Sequence, residues 1–302
     1  MTKIRYYLAA FLAAVIWGFF AIPLRHLKAY PAEQILHYRI FSSLVITWLI
    51  ISVFRKTSLK SDITYYKSAP APVKRKLLLL TLLAGILITG NWFTFIYATN
   101  NVSLKSAAFA YMVCPLITAL GGFLILKEQL SSRKFIAIGV AALSIIILAW
   151  GSAPDVSWSV FIASFYAFYL IVQRVLNNVD KLTILGVQLV ISLILMLPLF
   201  LLHQRAVPVE LDFWLNILLI SVVFTILPLF LSLYALNGIP SSTVGIIIYI
   251  NPIISFAVAF FYFHEGITTY QLCAYTLLFL AVALFNSDLI QGLIRNRMKH
   301  IG

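Results

Sequence analysis

Apolar runs of about twenty residues recur along this chain, and nothing else in it restricts the fold so strongly. Roughly 20 helical residues cross a hydrocarbon layer about 30 Å thick. Within lipid, each backbone N–H and C=O must find its partner inside a helix or a closed barrel. A barrel would leave short segments of alternating polarity. These runs are continuous instead, so the sequence predicts an all-α polytopic membrane protein. The composition agrees, with 62% of residues hydrophobic and 10% charged. A soluble domain has too little polar surface at that ratio.

The runs predict ten transmembrane helices, at residues 5–24, 32–54, 77–99, 105–126, 135–150, 157–176, 183–202, 212–236, 241–263 and 269–287. Connections are short apart from RKTSLKSDITYYKSAPAPVKRK at 55–76, and no soluble domain is expected. The first run lacks the short core and small-residue cleavage site of a removable signal, so it reads as a retained helix. With the N-terminus inside, most of the 22 basic residues fall on cytoplasmic ends and loops, among them Lys3, Arg5, Lys74, Arg75, Lys76, Arg133 and Lys134. The positive-inside rule then predicts a multi-pass protein of the inner (cytoplasmic) membrane with both termini cytoplasmic. The net charge of +13 is accordingly a topology signal, with attraction to anionic lipid of the bilayer, and not a nucleic-acid surface. Cys114 and Cys273 fall within spans and read as small core residues.

A shift of 137 sets residues 91–137 on 228–274 without a gap. YATNNVSLKSAAFAYMVCP then lies on YALNGIPSSTVGIIIYINP, pairing Tyr97 with Tyr234, Asn100 with Asn237, Pro115 with Pro252 and, further on, Glu128 with Glu265. Matches of Leu or Ile carry little weight in so apolar a chain, but Tyr, Asn, Pro and Glu in one register carry more. The shift maps the third span onto the eighth and the fourth onto the ninth, so the unit is five helices. An odd number reverses orientation. The sequence therefore predicts a 5+5 inverted-topology repeat, residues 1–150 and 151–302, forming a single membrane domain. Such pairs recur in secondary transporters, with substrate held near the midplane.

NWFTFIYATN, YMVCPL, TILPLFLSLYALNGIPSSTVGIIIYINP, AVIWGFFAI and EQILHYRI resemble RarD-type permeases of the EamA group, in the drug/metabolite transporter superfamily. The resemblance covers nearly the whole chain and implies ten helices around a central cavity, moving small metabolites or drug-like molecules. Three positions depart from the family pattern. Cys114 stands where an Asn is usual, Gln188 where a Glu is common, and Ile248 where a Gln is common.

Charge at membrane depth points to function, since an Arg or Asp at a helix centre costs on the order of 2.5–3.5 kcal/mol on insertion scales. Of the nine acids, only Glu33 is even marginally inside a span. EQILHYRI adds His37 and Arg39. Glu33 and His37, four apart on a helix, share a face and form the candidate proton relay. Arg39 projects about 200° away from His37. It either holds a substrate carboxylate or pins neighbouring carbonyls as a structural residue. Trp17, Asn91, Tyr111, Gln188, Tyr249 and Asn251 complete the predicted substrate cavity with His37 and Arg39, because buried amides and rings turn inward in a bundle. Pro115 and Pro252 form a candidate hinge pair, each denying an N–H to the carbonyl four residues earlier, Tyr111 and Ile248. Glu128 and Glu265 read as organisers of the following turns, with Ser131/Ser132 and Thr268/Thr269 capping the next helices.

These features predict a secondary transporter working by alternating access on a small-molecule substrate, in one version carboxylate-bearing. The competing classes are a lipid flippase and an integral membrane enzyme acting on lipid. No cofactor, no metal and no enzymatic activity is expected. The histidines are scattered without metal-ligand spacing, and no phosphate-binding loop occurs. A homodimer is compatible with the sequence.

Overall fold

A computed structural model describes residues 3–101, 104–149, 153–176, 178–202, 206–264, 269–285 and 287. Among these residues the chain is helical, with no strand. Its first run forms α1 (Ile4–Gly18) and α2 (Ala21–His26), broken just before Pro23. Then follow α3 (Ala32–Phe54), α4 (Lys56–Ser68), α5 (Ala71–Asn101), α6 (Leu104–Leu126) and α7 (Ser132–Ala149). After these come α8 (Ala153–Val175), α9 (Lys181–Leu202) and α10 (Leu211–Ser221). A five-residue π-turn (Val222–Ile226) joins α10 to α11 (Leu227–Ala235), and α12 (Ser241–Ile247), α13 (Ile250–Phe261) and α14 (Thr269–Phe285) complete the bundle.

Among the described residues, 6 helical runs are long and apolar enough to cross a membrane: Ile4–His26, Glu33–Phe54, Ala71–Phe95, Ser157–Val175, Lys181–Leu202 and Leu211–Ala235. Ala110–Leu126, Ser241–Ser255 and Leu272–Phe285 are shorter apolar helices. Large side chains such as Leu12, Phe41, Leu49, Leu82, Leu124 and Ile194 stand exposed on their outer faces. In water such a surface would aggregate; in a bilayer it is the solvated one. The chain is a multi-pass membrane protein.

The main core joins α3, α5, α6, α8, α9, α11 and α12 through Leu36, Ile40, Trp92, Cys114, Tyr169, Leu189, Leu233 and Ile248. Small residues let backbones approach, as expected where lipid and side chains are equally apolar. A Cβ on Gly18 would stand 2.5 Å from Ile254 Cβ of α13, and one on Gly245 of α12 would stand 2.7 Å from Thr118 Cβ of α6.

The structure corrects three local expectations. The long connection at 55–76 contains a helix, α4, which ends where Ala69 turns extended ahead of Pro70. It is tied down rather than loose. Arg55 pairs with Asp180 at the start of α9, Asp62 Oδ1 accepts from Asp180 N at 3.1 Å, and Asn178 Nδ2 donates to Tyr65 OH at 3.1 Å.

Glu128 caps a distant helix. Its Oε1 accepts from Ser241 N at 2.7 Å and Ser241 Oγ at 2.9 Å, and its Oε2 from Ser242 N at 2.9 Å. The geometry follows from the end of α6, where Lys127 is left-handed (φ 54) and Glu128 N returns to Gly122 O at 3.1 Å. Glu265 and Thr268 lie outside the described residues. Third, the Ile248 carbonyl is not left unpaired by Pro252: Asn251 N donates to it at 2.9 Å. The chain tightens there by one residue, so the helix breaks at Ile248–Tyr249, a turn ahead of the proline. Pro115 sits inside unbroken α6.

Candidate functional site

A largely enclosed cavity of about 60 Å³ lies where α1, α2, α3, α5, α6, α8, the π-turn, α11 and α12 converge. Trp17, Arg39, Asn91 and Tyr111 line it together with Phe20, Trp92, Phe95, Tyr166, Phe224 and Ile248. That is room for a few water molecules.

Arg39 stands about two turns into α3 and is 9% exposed. Its Nε donates to Thr225 Oγ1 at 2.8 Å, and Cζ stands 4.9 Å from the ring centroid of Trp92 and 5.3 Å from that of Phe20. Both rings supply cation–π attraction. The backbone of the same turn is fixed by Ser221 Oγ, which donates to Arg39 O at 3.2 Å. Among the described residues, none of the side chains lining this cavity is acidic.

The π-turn opposite Arg39 has a local cause. Thr225 Oγ1 donates to Ile220 O, five residues back, at 2.9 Å, which holds the wider turn. Pro228 has no N–H to give to Phe224 O, four residues earlier. Trp17 Nε1 supplies the donor instead, at 3.0 Å, and its ring meets Tyr166 edge-on with centroids 5.8 Å apart. Replacing Trp17 by phenylalanine should keep the ring contact and strand the carbonyl. We expect a loss of about 1–3 kcal/mol, the cost of an unmet buried acceptor, read as a lowered Tm of purified protein with transport assayed alongside.

Asn91 Nδ2 donates to Ile162 O of α8 at 3.1 Å, and Tyr111 packs on Phe95 with centroids 5.4 Å apart. The remaining predicted residues stand elsewhere. His37 turns away from Arg39 and stacks flat on Phe200, centroids 3.6 Å apart and planes 9° apart, with its buried Nδ1 unpartnered rather than joined to Glu33. Glu33 is half-buried at the start of α3. Gln188 faces the α8–α9 seam, where its Oε1 accepts from Gln173 Nε2 at 2.8 Å and Tyr169 OH at 3.2 Å. Asn251 Oδ1 accepts from Ser255 Oγ at 3.2 Å, and the same hydroxyl reaches Gly18 O at 3.1 Å on α1. Tyr249 is fully buried beside Met112, Ile246 and Leu278. Pro115 and Pro252 are both buried.

Phe20, which lines the cavity, and Thr225, which holds Arg39, both fall outside the predicted set. Thr225 carried a signal, a lone polar residue three places before a proline in an apolar run. Phe20 carried none.

The EamA-like transporter family matches residues 4–150 and again 155–287. This chain belongs to that family. Within it the chain is a RarD-type permease of the drug/metabolite transporter superfamily. It is 30% identical over 274 residues to the uncharacterized transporter YojE of Bacillus subtilis, covering 90% of each chain. It is 26% identical over 292 residues to protein RarD of Escherichia coli, covering 94% of each. A crystal structure of a protein with 14% sequence identity shares the fold at a TM-score of 0.75, over 94% of this chain and 97% of that one. The family describes a membrane transporter rather than an enzyme.

Proposed function

We propose that this permease is a ten-helix secondary transporter that moves a small metabolite or drug-like molecule across the cytoplasmic membrane. Five helices in each half form an inverted pair, and alternating access exchanges their shapes around the cavity. The enclosed cavity carries this reading, because residues of both halves line it: Arg39, Asn91 and Tyr111 from the first, Tyr166, Phe224 and Ile248 from the second.

Further observations support the inverted pair. Packing partners come in matched sets: α6 lies on α8 as α12 and α13 lie on α1, and α5 on α8 as α11 on α1. The elements that pair with their own counterparts are α7 with α14, α3 with α9 and α6 with α12. Lys127 and His264, both left-handed with φ 54 and 53, stand one repeat shift apart. The family also matches once in each half. Alternating access needs two unequal arrangements of one joint, which an inverted pair provides. The broken α12–α13 junction and Pro115 in α6 are the joints we assign to it. The bias of basic residues supports cytoplasmic termini.

Reconstitution tests the reading. Proteoliposomes holding the purified protein should accumulate at least one solute from a panel of amino acids, organic acids, sugars and organic cations, well above protein-free vesicles. No solute moving under any ion gradient, while a lipid moved between leaflets, would overturn it.

A further inference from the structure

We infer that the cavity takes a small organic anion, and that the protein works as an exchanger of such anions; this rests on the transporter reading above. Arg39 carries the argument. It is buried, and its one hydrogen bond among the described residues runs from Nε to Thr225. Its two terminal nitrogens have no hydrogen-bond partner among the described residues. A guanidinium presents those N–H groups as a planar fork that matches the two oxygens of a carboxylate. Trp92 and Phe20 hold the plane of the group from the sides, so the fork is positioned before a ligand arrives. Asn91, Tyr111 and Tyr166 are further polar side chains on the cavity wall.

A structural pin would look different. A buried arginine that serves only to join helices spends its donors on backbone carbonyls; half-buried Arg174, at the end of α8, gives one to Leu236 O in this way. Arg39 spends one donor on a hydroxyl and leaves the fork in the cavity. With no acid on the cavity wall, the charge has no counter-ion among the described residues. A desolvated, unpaired charge is strongly unfavourable, and pairing it removes that cost.

The size of the cavity selects the ligand. So small a space favours a short organic acid over a larger solute, its carboxylate at the fork and its few carbons against the aromatic wall of Trp17, Trp92 and Tyr111. The exchange step follows from the same charge. When either side opens, bulk water solvates Arg39. To cross over, the carrier must pass through a closed state like this one, with room for only a few waters. A bound anion neutralises Arg39 in that state and an empty cavity does not, so the loaded carrier crosses faster than the empty one. Return is therefore quickest with a second anion aboard.

The test uses purified full-length protein with L-lactate, pyruvate and glycerate as probes, and lactamide as the uncharged control. In proteoliposomes, labelled acid should enter vesicles preloaded with unlabelled acid about tenfold faster than empty ones. In detergent, the acids should raise Tm and lactamide should not. Arg39→Met should lose acid uptake and the acid-dependent Tm shift. Its ligand-free Tm should rise by a few degrees, because an unpaired buried charge has gone. Arg39→Lys keeps the charge without the fork and should retain preloading stimulation with weaker binding. Equal action of lactamide and lactate, or equal uptake by empty and preloaded vesicles, overturns the proposal. So does an Arg39→Met protein with lowered Tm, which is the signature of a pin. If acids shift Tm through Arg39 yet no solute moves at all, the anion site stands while exchange and the transporter reading fall. If uncharged solutes move and the acids neither move nor bind, the transporter reading stands and the anion site falls.

Discussion

Replacing Glu128 by alanine should lower the Tm of the purified protein by several degrees and loosen the joint between α6 and α12. The carboxylate receives two backbone N–H groups and a hydroxyl from Ser241 and Ser242, at 2.7 to 2.9 Å. Those N–H groups are the first of α12 and have no intrahelical carbonyl to meet. Hydrogen bonds to an ionised group contribute about 1.5–3 kcal/mol each. Allowing for partial exposure and non-additivity, we expect a loss of about 2–4 kcal/mol. Glutamine is the sharper probe. Its single carbonyl oxygen can keep the pair from Ser241, but its NH2 faces the Ser242 N–H, donor against donor. The expected order of Tm is wild type, then Glu128→Gln, then Glu128→Ala. Ser241→Ala, which removes only the hydroxyl contact, should stay close to wild type. If the glutamine and alanine variants melted with wild type, the carboxylate would not be holding α12. The consequence reaches function, because α12 delivers Ile248 to the cavity wall and packs Gly245 against Thr118. Transport should therefore fall along the same order as Tm.

The sequence alone exposes the parts of this molecule that obey one-dimensional rules. The apolar runs predict the helices, since length and hydropathy decide what crosses lipid. Arg39 was legible as a candidate because charge at membrane depth is costly, and the helical period separated it from His37, which the structure places away from the cavity that Arg39 lines. The polar stretch 55–76 hid α4, because its helicity depends on tertiary ties such as Arg55 to Asp180 that no local pattern announces. Glu128 was legible as structural, but its partner Ser241 lies more than a hundred residues away. The repeat register could not reveal this contact, since it aligns positions without saying which ones touch. The π-turn was half legible. Pro228 removes an N–H predictably, whereas the indole of Trp17 that replaces it comes from another helix. Tyr249 and Asn251 stand out in the YINP motif for scarcity. Scarcity alone could not tell a cavity wall from the α12–α13 junction where the structure puts them.

Gly238→Ala should be among the most damaging single-methyl additions in the chain. Asn237-Gly238 reads in sequence as turn punctuation, with glycine supplying conformational freedom. The structure gives a different reason. A Cβ on Gly238 would stand 1.8 Å from Tyr6 Cδ2, 2.1 Å from Cε2 and 2.4 Å from Cγ. Cγ lies on the Cβ–Cγ axis, so spinning the ring about that bond cannot clear the overlap, and only swinging the whole ring about χ1 or moving α1 can. Nor is the ring free to leave. It packs against Tyr234 with centroids 5.1 Å apart, and its hydroxyl accepts from Arg5 at 2.9 Å. The added methyl must push α1 away from the α11–α12 turn, and overpacking of this kind costs about 1–3 kcal/mol, occasionally more. At about 2–4 °C per kcal/mol for a chain of this order of size, Tm should fall by several degrees or more. Pairing Gly238→Ala with Tyr6→Ala should recover most of the loss, because the clashing ring is gone, giving a strongly favourable coupling between the two sites. Gly139→Ala supplies the control. A Cβ there meets nothing within 4 Å, and alanine suits the interior of α7 better than glycine by about 0.5–1 kcal/mol. Its Tm should equal or exceed wild type. A Gly238→Ala protein that melted with the Gly139→Ala control would show that α1 does not press on this turn, and that the glycine serves the turn alone.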